Sequence, residues 1–232
     1  MVATEAAAAS LAGALVHAAS PDAAQALRRL ALVASRALVE ASAFARLLDR
    51  MRTHEERLAA VRGCGGARPQ RAIFESCAGS PRARIEDVVP RRLGARRPVN
   101  YVGKNSLAAF TNFQKRFCRP PAVEGGAAAD TLWGYNHNWR PEMWVIGPGY
   151  YTAYDSDDAL GGVAVDYRVL PTGKPPDVWP RVRRNDRLPP ALVWDGMVDY
   201  LRRVSEHVFI GVAVRHGVRT HNYFLLCRET ET

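Results

Sequence analysis

The chain has 232 residues, with 32 Lys and Arg against 23 Asp and Glu, a formal net charge of +9 and 47% apolar residues. That length suits one large domain, or a compact domain with a smaller helical unit, and the composition excludes wholesale disorder and collagen-like structure. No apolar run approaches the roughly 18 residues that a hydrophobic spanning helix needs.

The first 19 residues are Ala-rich. Their first charge is Glu5 and no Lys or Arg precedes Arg28, so the positive start of a secretory signal is missing. They read as a helix or a frayed extension, with a processed organelle leader as the alternative. From Ser20 the helical signal strengthens: Ser20 suits an N-cap, Pro21 the first helical position, and Asp22 the positive end of the dipole. Leu27, Leu30, Ala34, Leu38, Ala41, Ala45 and Leu48 then recur at three and four residues as one apolar stripe. The stripe packs against the rest of the chain, or docks a partner helix or a membrane surface. Thr53-His54-Glu55-Glu56 has capping-box spacing, which predicts a second helix running to about Arg62 and stopped by Gly63, Gly65 and Gly66. Residues 1–62 form the helical N-terminal segment.

Residues 63–99 hold few large apolar side chains among Gly and Pro, and read as a linker with a short helix around Ile85 to Val89. Of the 32 basic residues only Lys104, Lys115 and Lys174 are lysines, and the positive excess gathers in this linker, including Arg82, Arg84, Arg91, Arg92, Arg96 and Arg97. An Arg-rich linker suits an acidic protein surface or anionic head groups. Base stacking would call for aromatics among the arginines, and Phe74 is the sole aromatic between Ala45 and Asn100, which argues against nucleic acid. Cys64, Cys77, Cys118 and Cys227 include no Cys-x-x-Cys pair, which argues against a zinc site and for a reducing compartment. The expected location is intracellular and soluble, in cytoplasm or an organelle lumen, not secreted.

Beyond residue 99 the texture changes: fourteen of the twenty aromatic residues lie between Tyr101 and Trp194. Short β-rich runs at 143–146, 150–154, 162–169, 208–215 and 222–227 alternate with turn chemistry such as Gly147-Pro148-Gly149 and Pro171-Thr172-Gly173. This spacing predicts an antiparallel sheet closed or nearly closed into a barrel over residues 100–232, hence an α+β fold with helices first. Residues 192–204 fit a helix through Trp194, Met197, Val198, Leu201 and Val204, or a strand pairing with Val208 onward; the strand is preferred.

Gly147-Pro148-Gly149-Tyr150-Tyr151, Val165-Asp166-Tyr167, Tyr200-Leu201-Arg202-Arg203-Val204, Phe209 to Val214 and Tyr223 to Glu229 together resemble the lipocalin-like (calycin) antiparallel β-barrels. The resemblance covers the C-terminal part, and the Gly-x-Trp triplet of the first lipocalin strand does not occur in the chain. It implies a small apolar or amphipathic ligand, such as a lipid or pigment, held in the barrel mouth.

The candidate ligand contacts are Trp133, His137, Trp139, Arg140, Trp144, Tyr150 and Tyr154, with Arg140 or Arg168 meeting an acidic group. Asp166, inside an apolar run, needs a partner if it points into a barrel, and Arg168 stands two residues on. No cofactor is indicated. The acidic turn Asp155 to Asp158 lacks the Gly and closing Glu of a calcium loop, and His207, His216 and His221 have no carboxylate at set spacing, so no metal site is expected. An enzyme reading, a cyclase or isomerase moving protons through His137 or Asp166, stands beside the binding reading, as does an accessory subunit docking through the stripe and the Arg-rich linker.

Overall fold

The computed structural model describes residues 41–107, 111–121, 130–138, 143 and 145–229. The stripe positions from Leu27 to Leu38 lie outside the described residues. Eight strands follow one another around a closed barrel: β1 Val99–Asn105, β2 Asn112–Cys118, β3 Thr131–His137, β4 Tyr150–Asp155, β5 Val163–Asp166, β6 Met197–Arg203, β7 Val208–Arg215 and β8 Val218–Arg228. Each is antiparallel to the next, and β8 returns to β1 through Tyr101↔Arg228 to Asn105↔Phe224, so the sheet has no free edge. This is the α+β arrangement expected from the sequence, a barrel preceded by a few helices.

Alternation along each strand sends every second side chain inward. Tyr101 on β1 meets Phe209 on β7 at 5.8 Å between ring centroids, and Phe117 on β2 meets Tyr151 on β4 at 5.3 Å. Neither pair is on neighbouring strands, so these contacts cross the interior. Small residues make room for the rings. Gly103 pairs with Phe113, Gly134 with Tyr151 and Gly211 with Phe224, and in each case an added Cβ would collide with the partner ring.

Helices α1 (Ala41–Arg50), α2 (His54–Gly63) and α3 (Ala67–Ser76) cover the outside of β7 and β8. Leu48, Met51, Val61, Ile73 and Phe74 pack on Val208, Ile210, Val212, Tyr223, Leu225 and Cys227. The capping box forms: Thr53 Oγ1 accepts the Glu56 N–H at 3.2 Å and the Glu56 carboxylate accepts the Thr53 N–H at 3.3 Å. Within 63–99, read as a linker, α3 and α4 (Ile85–Val88) both fold against the barrel. Only Ile73 and Phe74 are large apolar residues in α3, too few for a periodic signal. Several linker arginines serve the chain itself: Arg82 donates to the carbonyls of Ser156 and Asp158, and Arg84 pairs with Asp155 at 3.6 Å.

Helix α4 closes one end of the barrel. Ile85, Val88 and Val89 join the interior cluster, Tyr101 donates to the Val88 carbonyl at 2.8 Å, and Arg228 donates to the Tyr101 hydroxyl and the Asp87 carbonyl. Two local expectations change. Met143, Val145 and Ile146, read as a strand, are helical. The segment left open between helix and strand contains both: α5 (Ala191–Trp194), then β6 from Met197. Asp195-Gly196 makes the change of direction, with Gly196 at φ +67°. Among the described residues no helix is long and apolar enough to cross a membrane.

Candidate ligand cavity at the open end of the barrel

The end opposite α4 holds a cavity of about 260 Å³. Its apolar wall comes from Phe113, Ile146, Trp194, Met197 and Phe224, and its rim includes Asn105, Leu107, Leu192, Arg215 and Asn222. Trp194, carried by α5, stacks on Tyr167 at 5.0 Å and 15° and donates its indole N–H to the Ile146 carbonyl at 2.7 Å. Gly149, at φ +52°, lies where a Cβ would enter the Trp194 ring, so a glycine is required there both by conformation and by space.

Lys115, Asn136, Tyr167 and Asp199 form the polar side of this cavity. Lys115 is 1% exposed and Asp199 3%, and they pair at 2.9 Å. Lys115 Nζ also donates to Asn136 Oδ1 at 3.0 Å and to the Tyr167 hydroxyl. Tyr167 in turn donates to Asp199 Oδ2 at 3.1 Å, and Asn136 Nδ2 donates to Tyr167 at 2.8 Å and to the Gly149 carbonyl at 3.3 Å. Four rings surround the ammonium: Tyr151 and Tyr167 at 4.9 Å, Phe224 at 5.2 Å and Phe113 at 5.9 Å. Asp199 Oδ1 is buried and has no hydrogen-bond partner.

Burial lowers the pKa of Lys115, against the pull of the neighbouring Asp199 carboxylate. The Tyr167 hydroxyl is held well above its ordinary value, first by burial and then by the Asp199 charge, so it stays protonated and donating.

None of the described candidate contacts lines the cavity. Trp133 and Tyr150, with Tyr135 and Trp179, form a separate aromatic cluster with Cys118. Trp133, Tyr135 and Tyr150 alternate on β3 and β4 with the inward-facing Leu132, Gly134 and Tyr151, and Trp179 packs on Tyr135 and Tyr150 at 5.0 and 6.4 Å between ring centroids. His137 lies beside Tyr135 at 3.4 Å, its pKa lowered by burial and then by the Arg116 charge. Asp166 is buried and is gripped by Arg168 at 2.9 and 2.7 Å, and it accepts from Tyr154 at 3.3 Å. The expected ion pair thus exists, outside the cavity lining. Trp139, Arg140 and Trp144 lie outside the described residues. His207 and His216 stand at opposite ends of β7, and among the described residues no group of three His, Cys, Asp or Glu converges.

The cavity residues carried a signal that sequence reasoning missed. In Phe113-Gln114-Lys115-Arg116-Phe117 and Met197-Val198-Asp199-Tyr200-Leu201, a charge occupies an apolar alternate position, with opposite sign in the two strands. Comparison with known protein families, curated proteins and solved structures finds no match to this chain. The closed eight-stranded antiparallel barrel is compatible with a lipocalin-like architecture.

Proposed function

We propose that this protein binds a small apolar or amphipathic molecule in the open end of its barrel. The observation that carries the reading is the cavity itself: an apolar chamber entered from one end, with a buried charged pair on its wall. Ligand pockets are mostly apolar with a few placed polar groups, and barrels offer them at the mouth. At about 260 Å³ the cavity falls near the lower edge of the usual range of about 300–1,000 Å³, which favours a single-ring or short-chain ligand over a long acyl chain. The test is native mass spectrometry of the protein purified from its own source, set against the denatured mass. A discrete extra mass released on unfolding supports the reading. A bare protein that also takes up no small apolar compound overturns it.

A proton-transfer enzyme on the same scaffold is the second reading, favoured by one observation: the carboxylate in the cavity belongs to Asp199 and is desolvated. Its probe is 5-nitrobenzisoxazole, whose ring opens when a base removes its C–H proton. Acceleration by the wild-type protein that is lost in Asp199→Asn supports catalysis. Equal rates in both remove it and leave ligand binding standing.

A further inference from the structure

We infer that the cavity selects a neutral, ring-sized molecule bearing one hydrogen-bond donor, and that Asp199 Oδ1, buried in the cavity wall, receives that donor after a small side-chain shift that exposes it. The inference rests on the binding reading and deepens it, because among the polar atoms of Lys115, Asn136, Tyr167 and Asp199 one has no partner at all. All three Lys115 N–H groups are used, on Asn136, Tyr167 and Asp199. Both Asn136 amide hydrogens are used, on Tyr167 and the Gly149 carbonyl. The Tyr167 hydroxyl donates once and accepts twice, which exhausts it. Asp199 Oδ2 holds Lys115 and Tyr167, and Oδ1 holds nothing. An ionised carboxylate is acceptor-only, so the missing partner is a donor.

Charge narrows the class further. An anionic ligand would face the Asp199 carboxylate and find no donor left on Lys115. A cationic one would approach an ammonium 2.9 Å from the same carboxylate. Beside Lys115 and Asp199 both would also leave water at a cost that neither arrangement offsets, the one further cation among the described lining residues, Arg215, standing out at the rim. A neutral hydroxyl or ring N–H meets neither objection. The aromatic side chains of Phe113, Phe224 and Trp194 in the wall suit a ring-shaped ligand.

The experiment follows the Trp194 indole N–H resonance by NMR while four probes are titrated into the full chain: p-cresol, its isosteric hydrocarbon p-xylene, benzoate and benzylamine. The expected result is binding of p-cresol about ten-fold or more tighter than p-xylene, the range for a hydrogen bond to a charged acceptor, with neither ion binding as well as p-cresol. In Asp199→Asn, which loses the charge but keeps an amide oxygen, the preference for p-cresol over p-xylene falls to the few-fold of a neutral hydrogen bond. The comparison of p-cresol with p-xylene is complete in the wild-type protein, so it stands even if the variant fails to fold. Equal affinity for p-cresol and p-xylene, tighter binding of either ion, or a p-cresol preference undiminished in Asp199→Asn each overturns the inference while leaving the cavity a binding site. Failure of all four probes to shift the resonance overturns the inference and the binding reading together.

Discussion

The pair Lys115–Asp199 shows how far one residue's position can outweigh its type. Lysine and aspartate are costly inside a barrel, and each is tolerated because the other is 2.9 Å away with Tyr167 and Asn136 completing the bonds. Lys115→Met leaves a carboxylate buried without a counter-charge, and urea unfolding should show a loss of about 3–5 kcal/mol. The double variant Lys115→Met/Asp199→Leu removes both charges and should recover most of that loss. Full retention of stability by the single variant would contradict the pairing. Asp166 gives a pH-dependent counterpart. Burial raises its carboxyl, but the Arg168 side-chain and backbone hydrogen bonds outweigh burial and hold it below the ordinary value of 3.8. A carboxylate lowered in the folded state contributes stability above the ordinary value and loses it as pH falls through the folded value. Asp166→Asn should therefore cost about 1–2 kcal/mol at neutral pH, with the gap from wild type closing below pH ~4 in urea titrations. These two carboxylates also mark what the sequence could disclose about the site. Asp166 stands out because it sits in an apolar run, but Val163-Ala164-Val165-Asp166 is buried on both faces, so alternation cannot say which way it points. Asp199 stands at an alternate position between Met197 and Leu201, yet recognising it required deciding that 197–203 is a strand. Its partner required β2, whose Asn, Gln, Lys and Arg hide the strand among polar residues.

At the scale of elements, the helices act as an outer wall for β7 and β8. Phe74 is fully buried between Tyr223, at 5.6 Å between centroids, and the Arg202 guanidinium, 3.9 Å from its ring. Phe74→Ala should cost about 3–5 kcal/mol by thermal or urea unfolding, because the rigid barrel face behind it cannot collapse into the gap. The same layer shelters three of the four thiols. Burial pushes Cys64 and Cys227 to about 12, and Cys77 to about 11 despite a hydrogen bond from Ser76 and the Arg202 charge, while Cys118 elsewhere in the barrel also rises to about 12. Groups raised in this way hold their protons in the folded state, so their contribution is complete below pH ~9 and drains away as pH rises toward the folded values. Stability should fall above pH ~9, and mass-resolved iodoacetamide labelling at neutral pH should find no rapidly modified thiol. Fast reaction at Cys64, Cys77 or Cys227 would show that the helical layer does not seat on the barrel as described. The α2 start was legible because a capping box is a local, four-residue device whose two bonds close without help from the rest of the chain. The strand assigned to 143–146 failed for the opposite reason. A four-residue apolar run has no period of its own, and here Met143, Val145 and Ile146 are helical, with the Ile146 carbonyl holding Trp194.

For the whole molecule the two barrel ends differ in kind, and that asymmetry can be tested by mutating one end at a time. At the closed end, Arg228 joins β8 to α4 through the Tyr101 hydroxyl and the Asp87 carbonyl. Arg228→Ala leaves both without their donor in a buried place, so it should cost about 1–3 kcal/mol while leaving affinity for a small apolar probe unchanged. At the open end, Ala213 on β7 lines the cavity and is 4% exposed. Ala213→Leu adds its extra carbons to existing space, so stability should move by no more than about 1 kcal/mol while the probe loses its volume. Unfolding curves and probe titrations on the two variants should therefore be reciprocal: one loses stability and keeps binding, the other keeps stability and loses binding. If Arg228→Ala abolished binding at unchanged fold, access would run through the α4 end. If Ala213→Leu bound the probe as wild type does, the chamber beside Lys115 and Asp199 would not be where small molecules reside.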